Sequence, residues 1–183
     1  MRSLISIFAF ALVLGGCAAP DEDDALGYVS PDGSITILDE SERPTIANIS
    51  GEGLNGEPVS LDSFLGKKVV VLNVWGSWCP PCRAEAPELA AAAENNPDIQ
   101  FFGIVLRDSI GSAQAFVKEF NWTYPNLFDP SGEQLIVFAD SLPAVALPTT
   151  YVFDSEGRLA ARIVDTVTEE SLLSVIEQVN GGN

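Results

Sequence analysis

The stretch Val71–Pro87, VLNVWGSWCPPCRAEAP, joins an apolar run, a pair of cysteines and the start of a helix. The run itself, Val69 to Trp75, is rich in β-branched residues and almost continuously apolar, the pattern of a strand buried on both faces. From Pro81 to about Glu94 the chain is alanine-rich and reads as a helix. Cys79 and Cys82 therefore fall where a strand feeds a helix N-terminus. Unsatisfied N–H groups and partial positive charge gather there, and they favour the thiolate, which is the nucleophile. Cys79, at the turn, is expected to be the exposed attacking thiol. Cys82, one turn on, is expected to be more buried and to act as the resolving thiol. A metal clasp, a structural staple and a redox pair compete for this spacing. Zinc needs four ligands, and the chain offers two clustered cysteines and no histidine. Haem attachment of the c type needs a histidine after the second cysteine, where Arg83 stands. A staple closing so small a loop gains little entropy. The redox reading is favoured, and no metal or cofactor is expected.

Around this stretch strand-like and helix-like periods alternate. Ile99–Leu106 repeats the buried-strand pattern, and Ser112–Phe120 places Ala113, Phe116, Val117 and Phe120 on one helix face. Ser131–Phe138 reads as another helix. Thr149–Asp154, the turn SEG and Arg158–Val164 read as two strands and a tight turn. A last helix is expected over Val167–Val179, with Thr166 and Glu169 as a capping box and Leu172, Leu173, Ile176 and Val179 as its apolar stripe. Pro87 is expected to kink the helix that carries it. Upstream, Ser34–Leu38 is a short strand candidate. Leu54–Lys68 reads as a turn, a brief strand and one helical turn capped by Ser60. The order βαβαβ, a hairpin and a helix predicts an α/β fold with a mixed central β-sheet flanked by helices on both faces.

The chain has 183 residues, enough for one domain with a core and some extra sequence. Nine basic and 26 acidic residues give a net charge of −17. So acidic a surface, with no basic patch, argues against binding nucleic-acid phosphates. The lack of any histidine removes Ser-His-Asp and Cys-His mechanisms and all imidazole ligation.

Residues 1–16 read as a signal peptide: Arg2, then an apolar run from Leu4 to Leu14 that is too short to span a bilayer. The run ends in Leu14-Gly15-Gly16-Cys17, which resembles a bacterial lipobox and implies cleavage before Cys17 and lipid on its sulfur. A plain secreted signal that leaves Cys17 as a free thiol is the alternative. Three cysteines are an awkward number outside the cytosol; lipidation of Cys17 leaves Cys79 and Cys82 as one pair. Residues 17–40, with Asp21-Glu22-Asp23-Asp24 followed by Gly27, Pro31 and Gly33, read as an acidic tether. Residues 41–183 read as the domain.

The sequence WGSWCPPC resembles the active site of the thioredoxin superfamily. Its surroundings resemble the TlpA/ResA-like extracytoplasmic thiol–disulfide oxidoreductases, or redoxin-domain lipoproteins. The likeness rests on Gly66–Leu89 (GKKVVVLNVWGSWCPPCRAEAPEL), Ala146–Leu159 (ALPTTYVFDSEGRL) and TVTEESL at Thr166–Leu172, and covers about Asn48 to Val179. It implies a thioredoxin-like fold, Cys79 as nucleophile and Cys82 as resolving cysteine. Pro148 resembles the family's cis-proline, an isomer the X-Pro tertiary amide makes accessible. Beside it the backbone can take an extended substrate by strand addition, so Leu147 and Pro148, with Trp78, Pro80 and Pro81, are the expected substrate-binding residues. Glu85 matches a glutamate three residues after the second cysteine, on the helix face of Cys82. It is a candidate to accept or relay the Cys82 proton, against the reading of an exposed helix carboxylate. Trp75 is expected in the core. Two departures stand out. Asn73 replaces the buried aspartate of classical thioredoxins, and the connector SLPAVAL, Ser141–Leu147, is longer than usual.

The direction of electron flow has one physical pointer. Pro80 and Pro81 have no N–H to give a Cys79 thiolate, Glu85 and the acidic surface disfavour a second negative charge, and Arg83 is expected to face water. A reductant follows. The resemblance implies an integral-membrane thiol transporter as electron donor and oxidised extracytoplasmic proteins, for example apocytochrome c during cytochrome c maturation, as substrates. It also implies that the lipid anchor holds the protein at the bacterial membrane. A disulfide oxidase or isomerase on the same fold, a thioredoxin-like binding module and a thiol peroxidase are the other readings.

Overall fold

The computed structural model describes residues 27–46, 48–144 and 146–181. Cys17 and the rest of the leader and acidic segment lie outside the described residues. A seven-stranded sheet runs in the order β1-β2-β9-β8-β5-β6-β7, with a separate hairpin of β3 and β4. The strands are Tyr28–Val29 (β1), Ile35–Ile37 (β2), Ser50–Glu52 (β3), Pro58–Ser60 (β4), Val70–Trp75 (β5), Gln100–Val105 (β6), Asn126–Phe128 (β7), Thr149–Phe153 (β8) and Leu159–Val164 (β9). The helices are Pro80–Asn95 (α1), Ile110–Glu119 (α2) and Glu169–Gly181 (α3). Strands β5, β6 and β7 are parallel, and β8 returns antiparallel to β5, so the sheet is mixed.

The apolar run around Val71 becomes the centre of this sheet because β5 is buried on both faces. Val69, Val71 and Trp75 point to one side, where α1, α2 and α3 pack. Val70, Leu72 and Val74 point to the other, against Leu61, Phe138, Leu142 and Tyr151. Three α-helices thus cover one face. Two 3-10 helices, Leu61–Ser63 and Glu133–Phe138, with the connector before β8, cover the second. On the α-helical face Trp75 stacks on Phe116 at 4.4 Å and meets the edge of Trp122. Its indole N–H donates to Asn126 Oδ1 at 3.0 Å, across Gly103. A Cβ at position 103 would run into Asn126 Oδ1 and lie 2.9 Å from the indole nitrogen, so only glycine lets the two strands share this bond.

Several expectations need correction. Residues 27–40 are not wholly tether: β1 and β2 extend the sheet through β2–β9 pairing, Ile35 opposite Ile163 and Ile37 opposite Ala161. Alternating Ile35, Thr36 and Ile37 suffices for a strand once β9 offers an open ladder, and β1 then forms the edge. The 131–138 helix is a 3-10 helix over Glu133–Phe138. The last helix starts at Glu169, and the reciprocal cap is Thr168 with Ser171 instead of Thr166 with Glu169. The shift has a local cause, since Val167 is buried and its N–H is already bound by Glu85. Ser60 precedes the 3-10 helix Leu61–Ser63 without a side-chain cap. Helix α1 continues through Pro87 to Asn95. The third parallel strand, β7, had no sequence run of its own, being three residues long and following Pro125.

Candidate active site

Strand β5 ends at Trp75, and four residues later Cys79 takes the N-cap position of α1 in extended backbone, with Pro80 and Pro81 opening the helix. Proline at the first helical position costs nothing, because the N–H it lacks would have been unpaired there. Cys79 and Cys82 form a disulfide with Cα atoms 5.3 Å apart. The only first-turn amide that reaches Cys79 Sγ among the described residues is Cys82 N–H, at 3.3 Å. The expected exposure of Cys79 is corrected: in the disulfide it is 2% exposed, against 1% for Cys82. The two still differ in access, since Cys79 lines an open groove and Cys82 does not.

That groove, about 420 Å³, places Trp78, Pro80 and Pro81 beside Cys79. Leu147 and Ala144 of the connector line it as well, together with Arg107, Gly132 and Leu135. Trp78 is half exposed and folds back over Gly76, where a Cβ would come within 2.8 Å of the indole nitrogen. The Leu147–Pro148 peptide is cis. Pro148 is buried, is not on the groove surface, and accepts the N–H of Asp165 through its carbonyl at 3.1 Å. Among the described residues neither the N–H nor the C=O of Leu147, which lines the groove, is bonded. The connector is fastened from behind. Tyr151, stacked on Phe138 at 4.1 Å, donates its hydroxyl to Leu142 O at 2.8 Å, and Arg162 donates to Pro143 O at 3.0 Å.

Glu85, one turn after Cys82 on the same face of α1, is 1% exposed, so the exposed-carboxylate reading is excluded. Its two oxygens accept from Asn73 Nδ2 at 2.9 Å and from Val167 N–H at 3.1 Å. Burial raises its pKa to about 7; the two hydrogen bonds pull the other way, and Asp165 adds a smaller upward push. Asn73 thus holds the Glu85 carboxylate in place. Asn73 also donates to Thr150 Oγ1 at 3.1 Å, and its own Oδ1 has no partner. Buried Tyr124 has its pKa raised well above the usual phenol value, first by burial and then by Glu85.

Arg83 does not simply face water. Its guanidinium pairs with Glu119 at 2.6 Å and lies 5.6 and 5.3 Å from the ring centroids of Phe116 and Phe120, directed toward α2. One residue of the site was missed in the sequence. Asp108 Oδ2 accepts Ser77 N–H at 2.6 Å and Oδ1 accepts Ser109 N–H at 2.8 Å, tying the cysteine loop to the turn that opens α2. Ser109, the N-cap of α2, was a usable signal for that turn, as an Asp-Ser pair before a helical period. No group of three or more metal-ligating side chains occurs among the described residues.

Comparison with known proteins places this geometry. Residues 44–162 match the AhpC/TSA family. The chain is 30% identical over 168 residues to the thiol:disulfide interchange protein DsbE homolog of Paracoccus denitrificans, covering 91% of this chain and 84% of that one. It is 27% identical over 164 residues to the thiol-disulfide oxidoreductase ResA of Bacillus subtilis, covering 86% and 87%. The crystal structure of a DsbF homologue from Corynebacterium diphtheriae superposes with a TM-score of 0.71 at 40% identity, covering 82% of this chain and 96% of that one. The soluble secreted antigen MPT53 of Mycobacterium tuberculosis is 43% identical over 79 residues, so the match spans 45% of that protein.

Proposed function

Because the chain belongs to the AhpC/TSA family and aligns over most of its length with thiol–disulfide oxidoreductases of the ResA and DsbE type, we propose that it reduces disulfides in exported proteins. In the reduced protein, Cys79 thiolate attacks one sulfur of a substrate disulfide and expels the other as a thiolate. The result is a mixed disulfide at Cys79. Cys82 then gives its proton to the Glu85 carboxylate and attacks Cys79 Sγ. The second substrate thiolate leaves, and the Cys79–Cys82 disulfide returns. Two electrons pass from protein to substrate. Trp78, Pro80, Pro81 and Leu147 hold the substrate as an extended segment in the groove, with Pro148 shaping the backbone beside it.

The observation that carries the direction is the poverty of donors around Cys79 Sγ. Pro80 and Pro81 supply no N–H, Cys82 N–H is the one amide that reaches the sulfur among the described residues, and Arg83 is drawn away to Glu119. Fewer donors to the thiolate mean a less stabilised dithiol and a more reducing couple. Cys17 anchors the chain through lipid, the acidic segment before Tyr28 spaces the domain from the membrane, and an integral-membrane thiol transporter resupplies electrons. Oxidised apocytochrome c is the substrate class tested first. Mixing reduced protein with an oxidised peptide carrying Cys-x-x-Cys-His should release peptide thiols in stoichiometric amount. Net flow from peptide thiols to the oxidised protein would contradict the reading and favour the oxidase alternative.

A further inference from the structure

Arg107 lines the groove that holds Cys79. Of the cationic side chains described, those of Arg107 and Lys118 alone make no hydrogen bond or ion pair to another described residue, and only Arg107 is at the groove. Its acidic neighbours are already committed. Asp108 uses one oxygen on Ser77 N–H and the other on Ser109 N–H. Asp129, which precedes the Pro130 carbonyl that accepts Arg107 N–H, takes Gly132 and Glu133 N–H on Oδ1 and Gln134 N–H on Oδ2. Arg107 also holds a left-handed backbone, φ 52°, which an arginine rarely adopts. Flanking bonds, Leu106 N–H to Trp75 O and Arg107 N–H to Pro130 O, keep it there. An exposed, unpaired cation therefore lines the groove from a backbone held in place, on a protein of net charge −17. The surface at large repels acidic polypeptides, and this one point attracts a carboxylate.

We infer that Arg107 is a specificity-determining residue that selects, among extended polypeptide substrates, segments with a glutamate or aspartate beside the reacting cysteine. The inference rests on the proposed reading that a polypeptide disulfide occupies the groove. A guanidinium matches a carboxylate in a paired-donor geometry that an ammonium does not reproduce.

The test uses the full-length protein, reduced, with two synthetic disulfide peptides that differ only in Glu or Gln beside one cysteine. Stopped-flow tryptophan fluorescence follows the exchange at low salt and with 0.5 M sodium chloride added. The expected result is a preference for the Glu peptide of about three- to five-fold in kcat/KM, carried by KM and not kcat, and reduced by the added salt. Arg107→Gln should bring the ratio of the two peptides to about one, and Arg107→Lys should keep part of it. A wild-type ratio of one, or a ratio that Arg107→Gln leaves in place, would overturn the inference while leaving the exchange reaction intact. Failure of both peptides to exchange with the wild type would overturn the groove reading along with it.

Discussion

At Glu85 a carboxylate sits where water hardly reaches, and what surrounds it decides what it can do. Two N–H donors suit the ionised form, yet burial outweighs them and the pKa rises to about 7. Its folded pKa lies above the unfolded value of 4.5, so the folded state binds the extra proton between those values. Stability from this group is therefore full below about pH 4.5, falls as pH rises, and levels off above about 7. The loss is about 3 kcal/mol at most. Glu85→Gln should flatten that slope and make the protein more stable at pH 8 by about 1–3 kcal/mol, read from urea unfolding at pH 5 and pH 8. The unpartnered Asn73 Oδ1 helps, since a turned Asn73 amide can accept from the new Gln amide. The same variant should slow resolution of the mixed disulfide by about 100-fold or more at pH 8, the lower range for a lost general base. A variant less stable than wild type at pH 8, or equally fast in resolution, would remove Glu85 from its proposed role. The spacing of Cys82 and Glu85 was legible in the sequence because a helix face can be counted. The burial of Glu85 was not, because it depends on how Asn73 of β5 and Val167, 82 residues further on, close over it.

Among the elements, β1 and β2 carry the plainest lesson. Ser34–Leu38 was legible as a strand candidate, yet the acidic and turn-forming residues around it kept the segment within the tether and hid β1. Pairing with β9 supplies the missing term: Thr36, Ile37 and Leu38 become buried, and Leu38 N–H finds Ala160 O at 2.8 Å. Burying Ile37 and Leu38 is worth about 1.5–3 kcal/mol each. Deleting residues 27–38 should therefore lower the thermal midpoint by many degrees and open the β9 edge to aggregation. Light scattering and a thermal melt would show both. A deletion variant with unchanged melting and no scattering would return these residues to the tether. By contrast, β5, β6, β8, β9, α1 and α3 were all legible, because long apolar runs and a sustained helical stripe need no partner to be seen. The short β7 and the 3-10 turn at Glu133–Phe138 take shape only from their neighbours, β6 for one and the Asp129 carboxylate for the other.

On the scale of the whole molecule, a buried mixed sheet presents one cysteine to a groove and hides the second beside a buried acid. A thioredoxin-like fold of this kind serves reductants and oxidants alike; the difference lies in how well the thiolate is stabilised. A hydrogen bond to a charged acceptor is worth about 1.5–3 kcal/mol. Each donor missing from Cys79 thus shifts a two-electron couple by about 30–60 mV toward reducing values. The N-terminal dipole of α1 opposes this by about 1 kcal/mol or less, which does not offset the amide absent at Pro81, the second helical position. The most direct measurement is the reduction potential of the Cys79–Cys82 pair, from equilibration in redox buffers with Trp78 fluorescence as reporter. A value near or below about −250 mV, close to thioredoxin, is the predicted result; a value above about −180 mV would contradict the account and make the protein an oxidant or isomerase.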